Sequence, residues 1–116
     1  MIVGDRRGLL KERLADFALA RKWEKYHTPK NLAMAMVKEA AEVVEIFQWL
    51  TPAQASRLTR VQREHLADEL ADTYIYLSKI GDAFGIDLVE AALAKMKKNE
   101  RKYPAARNQG RIVKSR

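Results

Sequence analysis

The stretch TPKNLAMAMVKEAAEVVEIFQWL, at positions 28–50, decides the fold of this chain. Thr28 followed by Pro29 is typical of a helix start, because threonine caps the first amides and proline needs no hydrogen bond in the first turn. The positions that follow are apolar on almost every side of the predicted helix. Such a helix must be central in a core or covered by a second subunit. A chain of 116 residues can scarcely surround it, so the stretch predicts a homo-oligomer.

The rest of the chain predicts helices too, because apolar residues recur three and four positions apart and capping residues mark the boundaries. The expected helices cover about 9–26, about 29–50, a short segment 53–58, a long one from Thr59 through Phe84, and a last one from Asp87 to about Lys102. No segment alternates with period two, so no strand is expected. The predicted fold class is all-α, a bundle of four main helices plus a short linking helix.

Composition narrows the classes of protein. The chain has no cysteine, which excludes disulfides and thiolate metal sites. Residues 1–10 lack the apolar core of a signal peptide, and the apolar stretch 32–50 is interrupted by Lys38 and three glutamates. These features argue against secretion and against a membrane span. We therefore expect a cytoplasmic protein.

The net charge of +7 is confined to the C-terminal end. Residues 97–116 hold eight Lys or Arg against one acid, whereas residues 1–96 hold fourteen of each sign. We expect a folded domain over 1–104 and a flexible basic tail over 105–116. Because the body has no net positive charge, nucleic acid is not the expected partner.

Two acidic clusters lie within the apolar helices: Glu39-x-x-Glu42-x-x-Glu45 and Glu69-x-x-Asp72. Residues three apart project from neighbouring positions on a helix, so each cluster occupies one side. Carboxylates among apolar residues are costly unless something neutralises them. If the second and fourth helices pack side by side, the acids converge on one hollow. Such a hollow suits Mg²⁺, which prefers oxygen ligands and commonly acts on phosphates.

Two other interpretations of the acids are open at this point. Glutamates three apart are common on solvated helix faces, and Glu64 and Asp68 are expected there. A di-iron carboxylate bundle needs two E-x-x-H motifs on different helices. Only Glu24-x-x-His27 fits, and Pro29 follows at once, which puts the motif at a helix end. The sequence does not favour a di-iron site.

The motifs together carry a family resemblance. The matching segments are WEKYHTPKNL at 23–32, EAAEVVEIFQW at 39–49, DELADTYIYL at 68–77, and the run from Lys95 through Asn99 to Tyr103-Pro104. In their order and spacing the chain resembles the all-α nucleoside triphosphate pyrophosphohydrolases of the MazG-like superfamily, most closely the dCTP pyrophosphatase branch. The resemblance covers roughly residues 10–105.

The resemblance implies hydrolysis between the α- and β-phosphates of a nucleoside triphosphate, with Mg²⁺ as cofactor and Mn²⁺ as a substitute. The implied products are the monophosphate and pyrophosphate, and the implied substrate is dCTP or a related pyrimidine deoxynucleotide. The family forms dimers or tetramers, in line with the apolar second helix.

The resemblance also implies roles for particular residues. The metal ligands would be Glu39, Glu42, Glu69 and Asp72, and the catalytic carboxylates Glu39, Glu42 and Glu45. The substrate-binding residues would be Trp23, Trp49, Tyr76, Lys95 and Asn99. One position departs from the pattern: some dCTP-specific relatives carry histidine on the first helix where this chain has Leu14. The choice of base is therefore left open.

Two hypotheses from other classes remain. The chain could be a non-enzymatic helical module that binds nucleic acid or a protein through its basic tail. It could also be a catalytically silent oligomerisation bundle. The first predicts binding that weakens steeply with salt, and the second predicts no stabilisation by metal.

Overall fold

The structure, a computed structural model, describes residues 5–114, and the regular elements among them are all helical. The α-helices are α1 (Asp5–Ala20), α2 (Pro29–Phe47), α3 (Pro52–Ala55), α4 (Arg60–Ala83) and α5 (Leu88–Lys102). Two 3₁₀ turns cover Glu24–Tyr26 and Ala105–Arg107. The prediction of an all-α chain with four main helices and a short linking helix is confirmed.

Side-chain caps fix where the helices begin. The Thr28 hydroxyl accepts a hydrogen bond from the Asn31 amide at 3.2 Å, which starts α2 as predicted. Both α3 and α4 open with a full capping box, in which a threonine and the glutamine three residues later satisfy each other's backbone amides. The Asp87 carboxylate accepts from the Glu90 amide at 3.0 Å and starts α5.

The predicted end of the first helix was wrong. The helix ends at Ala20 rather than near residue 26. Lys22 adopts a left-handed conformation, with φ 55°, and the Trp23 amide donates to the Ala18 carbonyl at 2.9 Å. This is a Schellman motif, which normally uses glycine, and its signal is therefore missing from the sequence.

The linking helix is also shorter than predicted. It ends at Ala55 instead of residue 58, and the Ser56 hydroxyl donates to the Pro52 carbonyl at 2.8 Å. Thr59 caps α4 in an extended conformation, with ψ 163°. The chain must therefore leave the helical conformation before Thr59, which ends the linking helix early.

The chain forms two compact units, one ending at Phe84 and the other beginning at Gly85. In the first unit α2 packs along α4, with α1 against α4 as a smaller contact. Glu39 of α2 lies close to Asp72 of α4. Leu32, which comes earlier in α2, lines one cavity together with Lys79, which comes later in α4. The two helices are therefore antiparallel.

Much of the apolar surface of the first unit is not covered. Among the described residues, the hydrophobic side chains that are buried are those of Ala18 and Leu32. Large apolar side chains stay exposed in two stripes at helical spacing, Met34, Val37 and Val44 on α2, and Leu70, Tyr74 and Leu77 on α4. Exposed apolar stripes of this kind are typical of a protein interface.

The second unit contains α5 and the segment after it. The Asn108 side-chain amide donates to the carbonyls of Pro104 and Val113, at 2.8 and 3.0 Å, and its oxygen accepts from the Val113 amide. Residues 104–113 thus close into a loop around Asn108. The flexibility expected for 105–116 stays a prediction, and positions 115–116 lie outside the described residues.

Over residues 5–114, no helix combines the length and the apolar character that crossing a bilayer requires.

Candidate functional site

Helices α2 and α4 bring three of the predicted metal ligands together. Glu39, Glu69 and Asp72 can each offer a carboxylate oxygen, and these oxygens lie within 4.8 Å of one another. Glu69 and Asp72 share one side of α4 because they are three positions apart, and Glu39 faces them from α2. We call these three residues the acid cluster.

Glu42 extends the acid cluster along α2. Its carboxyl is within hydrogen-bonding reach of those of Glu69 and Glu39. Glu45 lies one turn further on, is exposed, and is not part of the cluster. Its predicted role in catalysis stays a prediction. Glu64 and Asp68 are exposed, as expected for solvated positions.

Two oxygens of the acid cluster are buried without a partner. The Oε2 atoms of Glu39 and Glu69 have no hydrogen bond, and the Glu69 side chain is only 12% exposed. A buried, unpaired carboxylate oxygen is costly, because it has lost water and gained nothing in return. A divalent cation with a preference for oxygen ligands would satisfy both atoms, so the residues present fit Mg²⁺ or Mn²⁺.

The close approach of these carboxyls shifts their pKa values. Hydrogen bonding with Glu42, then burial and Glu39, raises the pKa of Glu69 to about 7. Burial, followed by the contact with Glu42, also raises the pKa of Glu39. Hydrogen bonds from Glu69 and Glu39 lower the pKa of Glu42. Without a cation the acid cluster therefore retains a proton near neutral pH, and a bound cation would displace it.

A histidine that the sequence interpretation missed borders the acid cluster. The Nε2 atom of His65 lies 3.4 Å from Oε1 of Glu69, and the imidazole is 58% exposed. The signal was the four-residue spacing between them, which places both on one face of α4. His65 can hold the Glu69 carboxyl in its present orientation.

The aromatic residues predicted to bind substrate occupy different surroundings. Trp23 packs edge-on against Phe17 and His27, with ring centroids 5.7 and 6.2 Å away. Tyr76 is half-buried, two turns after Glu69 on α4, whereas Trp49 follows α2 and is 86% exposed. Their roles in substrate binding stay predictions.

Lys95 and Asn99 lie one turn apart on α5, in the second unit. Lys95 is exposed and Asn99 is half-buried. Their predicted contacts with phosphate also stay predictions.

The model of the MazG-like family matches residues 34–114, well over half of the chain. The chain belongs to the MazG-like family. The resemblance drawn from the motifs is confirmed, and the acid cluster is part of a MazG-like helical bundle.

Two curated relatives that are similar to this chain are dCTP pyrophosphatases. Human dCTP pyrophosphatase 1 is 42% identical over 93 residues, which are 78% of this chain and 55% of the relative. Bovine dCTP pyrophosphatase 1 is 38% identical over 102 residues, 86% of this chain and 60% of the relative. The chain thus spans little more than half the length of these curated relatives.

A solved structure supports the same fold. The crystal structure of a pyrophosphatase from Archaeoglobus fulgidus superposes with a TM-score of 0.78 at 42% sequence identity. The match covers 84% of this chain and 91% of that one.

The raised pKa of Glu69 predicts how stability depends on pH in the metal-free protein. Folding moves this pKa from 4.5 to about 7, so the folded state binds the proton more tightly than the unfolded state. The resulting stabilisation is complete below the unfolded value and is lost as the pH rises through about 7. We expect the melting temperature to fall over this window, and Glu69→Gln, which keeps a neutral side chain throughout, to reduce the fall.

The matched control is Asp68→Asn, an exposed neighbour on α4 that should keep the wild-type pH profile. Saturating Mg²⁺ should flatten the wild-type profile above neutral pH. A metal-free profile that Glu69→Gln leaves unchanged would contradict the assignment.

Proposed function

We propose that this MazG-like protein is a nucleotide pyrophosphohydrolase that uses Mg²⁺ to hydrolyse a nucleoside triphosphate to the monophosphate and pyrophosphate. The observation that carries the proposal is the acid cluster with its two buried, unpartnered oxygens. The names of the relatives, dCTP pyrophosphatase and pyrophosphatase, support the same reaction.

In this proposal Glu39, Glu69 and Asp72 hold the divalent cation, and Glu42 borders it. When bound, the cation supplies positive charge that neutralises and orients the phosphates. The acid cluster alone would repel a triphosphate, because both are negatively charged. A cation between them would neutralise this repulsion.

A carboxylate must accept a proton from the water that attacks the α-phosphorus. As the new P–O bond forms, the bond to the β-phosphate oxygen breaks and pyrophosphate leaves. Glu42 suits the role of base, because its carboxyl borders the acid cluster, where a base can reach a water beside the bound phosphates. Glu45, exposed at the end of α2, is the second candidate.

We propose dCTP or a related pyrimidine deoxynucleotide as the substrate, and removal of unwanted nucleotides from the pool as the role. Trp23, Trp49 and Tyr76 offer aromatic faces on which a base can stack. Lys95 and Asn99 offer a charge and a hydrogen-bond donor for the phosphates.

The module that only binds nucleic acid through its tail is not favoured. Among residues 5–114, the buried side-chain oxygens without a partner belong to Glu39 and Glu69, and such acids repel nucleic acid unless they hold a cation. A silent oligomerisation bundle leaves the unpaired oxygens of Glu39 and Glu69 without explanation.

The activity is tested with a panel of deoxynucleoside triphosphates and Mg²⁺. We expect stoichiometric monophosphate and pyrophosphate, with Glu69→Gln and Glu39→Gln lowering kcat by about 100-fold or more, because each removes a charged ligand for the cation. Asp68→Asn should keep the wild-type rate. Comparison of Glu42→Gln with Glu45→Gln identifies the base as the variant with the larger loss in kcat. Inactivity of the wild type toward the whole panel would overturn the proposal.

We also propose that the protein is a homo-oligomer, a dimer or a tetramer. The exposed stripes on α2 and α4, together with a Trp49 that is 86% exposed, present more apolar surface than a monomer in water normally carries. A second copy of the chain is the simplest cover for two stripes on one unit.

The oligomer is tested by light scattering after gel filtration. Val37→Glu and Val44→Glu should shift the mass toward the monomer, since each places a charge in an apolar interface. Lys30→Glu, an exposed position on the same helix, should leave the mass unchanged. A wild-type protein with the mass of a single chain would contradict the proposal.

A further inference from the structure

The side chain of Trp23 contacts two other rings, in the segment that joins α1 to α2. Its ring centroid lies 5.7 Å from that of Phe17 and 6.2 Å from that of His27. The planes of these rings are inclined to the indole by 71° and 69°, so both are edge contacts rather than parallel stacking. The indole is still 43% exposed. Two neighbours therefore hold it while part of its surface stays open to a ligand.

The backbone around Trp23 is fixed as well. Lys22 adopts φ 55°, a strained conformation for a residue other than glycine and one that is concentrated at functional sites. The Trp23 amide donates to the Ala18 carbonyl at 2.9 Å, and the Trp23 carbonyl accepts from the Tyr26 amide at 2.8 Å. Because both backbone groups of Trp23 are bonded, the remaining freedom of this residue lies in its side-chain torsions.

Phe17 restrains those torsions from α1, and Arg21 holds Phe17 in place. Nη1 of Arg21 donates to the Phe17 carbonyl at 3.1 Å, and the guanidinium carbon lies 3.5 Å from the centroid of the Phe17 ring. A cation over an aromatic face at this distance is attracted to it. Phe17 is 48% exposed, so burial in the core does not explain its position. Its contacts are with Arg21 on one side of the sequence and with the indole on the other.

We propose, on the basis of the nucleotide hydrolysis proposed above, that Phe17 is a positioning residue that holds the indole of Trp23 in the orientation in which it stacks on the base. Without this contact the indole samples several rotamers, and ordering it on binding costs free energy. With the contact, the indole is ordered before the nucleotide arrives. The gain is the same in the ground state and in the transition state, so it affects KM rather than kcat.

The first test compares kcat and KM in the wild type, Phe17→Leu and Phe17→Tyr, with the triphosphate that the wild type hydrolyses fastest. We expect Phe17→Leu to raise KM about threefold to tenfold with kcat near the wild-type value, because an aromatic pair contributes a free energy of that size. Phe17→Tyr, which keeps the ring, should retain the wild-type KM. Phe84→Leu, the same change at another exposed phenylalanine, is the matched control. An unchanged KM in Phe17→Leu would overturn the proposal.

A double-mutant cycle separates positioning from a general loss of structure. In a Trp23→Leu background there is no indole to orient, so adding Phe17→Leu should raise KM no further. Equal increases of KM from Phe17→Leu in both backgrounds would show that Phe17 does not act through Trp23, and a wild-type KM in Trp23→Leu would show that Trp23 does not bind the base. Either result overturns the proposal. Phe17→Met, which has no ring, replaces Phe17→Leu if the leucine variant does not fold.

A second readout does not depend on hydrolysis. The chain has two tryptophans, so in a Trp49→Phe background the tryptophan fluorescence comes from Trp23 alone. We expect Phe17→Leu to speed the nanosecond decay of its anisotropy and to weaken its quenching by dCMP in the absence of metal, and Phe17→Tyr to change neither. If the wild type hydrolyses no triphosphate but Phe17→Leu has both effects, the hydrolysis proposal fails and the positioning of Trp23 stands. If hydrolysis proceeds but Phe17→Leu changes neither the anisotropy nor the quenching, the role of Phe17 is wrong.

Discussion

The repulsion among Glu39, Glu69 and Asp72 is the constraint on which the rest of the structure depends. Packing of α2 against α4 holds these carboxylates within 4.8 Å of one another, although like charges in a partly buried place oppose that packing. Protonation of Glu69 relieves the repulsion in the metal-free protein, and a divalent cation would relieve it further. The helix pair thus forms an acid cluster in which a divalent cation would fit.

Local rules predicted most of the fold and the acids that form the acid cluster. Thr28 and Thr59 mark helix starts in the sequence, because the residues that cap a helix lie within four positions of one another. The three-residue spacing of the acids predicted that they lie on one side of each helix, because residues three apart project from neighbouring positions. The end of α1 could not be predicted, because Lys22 takes a left-handed conformation that glycine usually marks. The cavity beside Lys79 depends on the packing of three segments distant in sequence, which no local pattern reports.

The apolar character of α2 has two consequences. One side of the helix packs on α4 and carries the acids, and a second side remains exposed as the stripe of Met34, Val37 and Val44. A helix that is apolar on several sides can therefore carry the acid cluster and an exposed stripe at once. In the function proposed here both chemistry and assembly depend on α2, so changes at the stripe should be tested for their effect on the acid cluster as well.

The central claim, that the acid cluster binds a divalent cation, is tested most directly by titrating metal-free protein with Mn²⁺ and following free Mn²⁺ by electron paramagnetic resonance. We expect saturable binding by the wild type and by Asp68→Asn. We expect a loss of affinity of about tenfold or more in Glu69→Gln and Asp72→Asn, because each variant removes one charged ligand. Binding of equal strength in all four proteins, or none in the wild type, would contradict it.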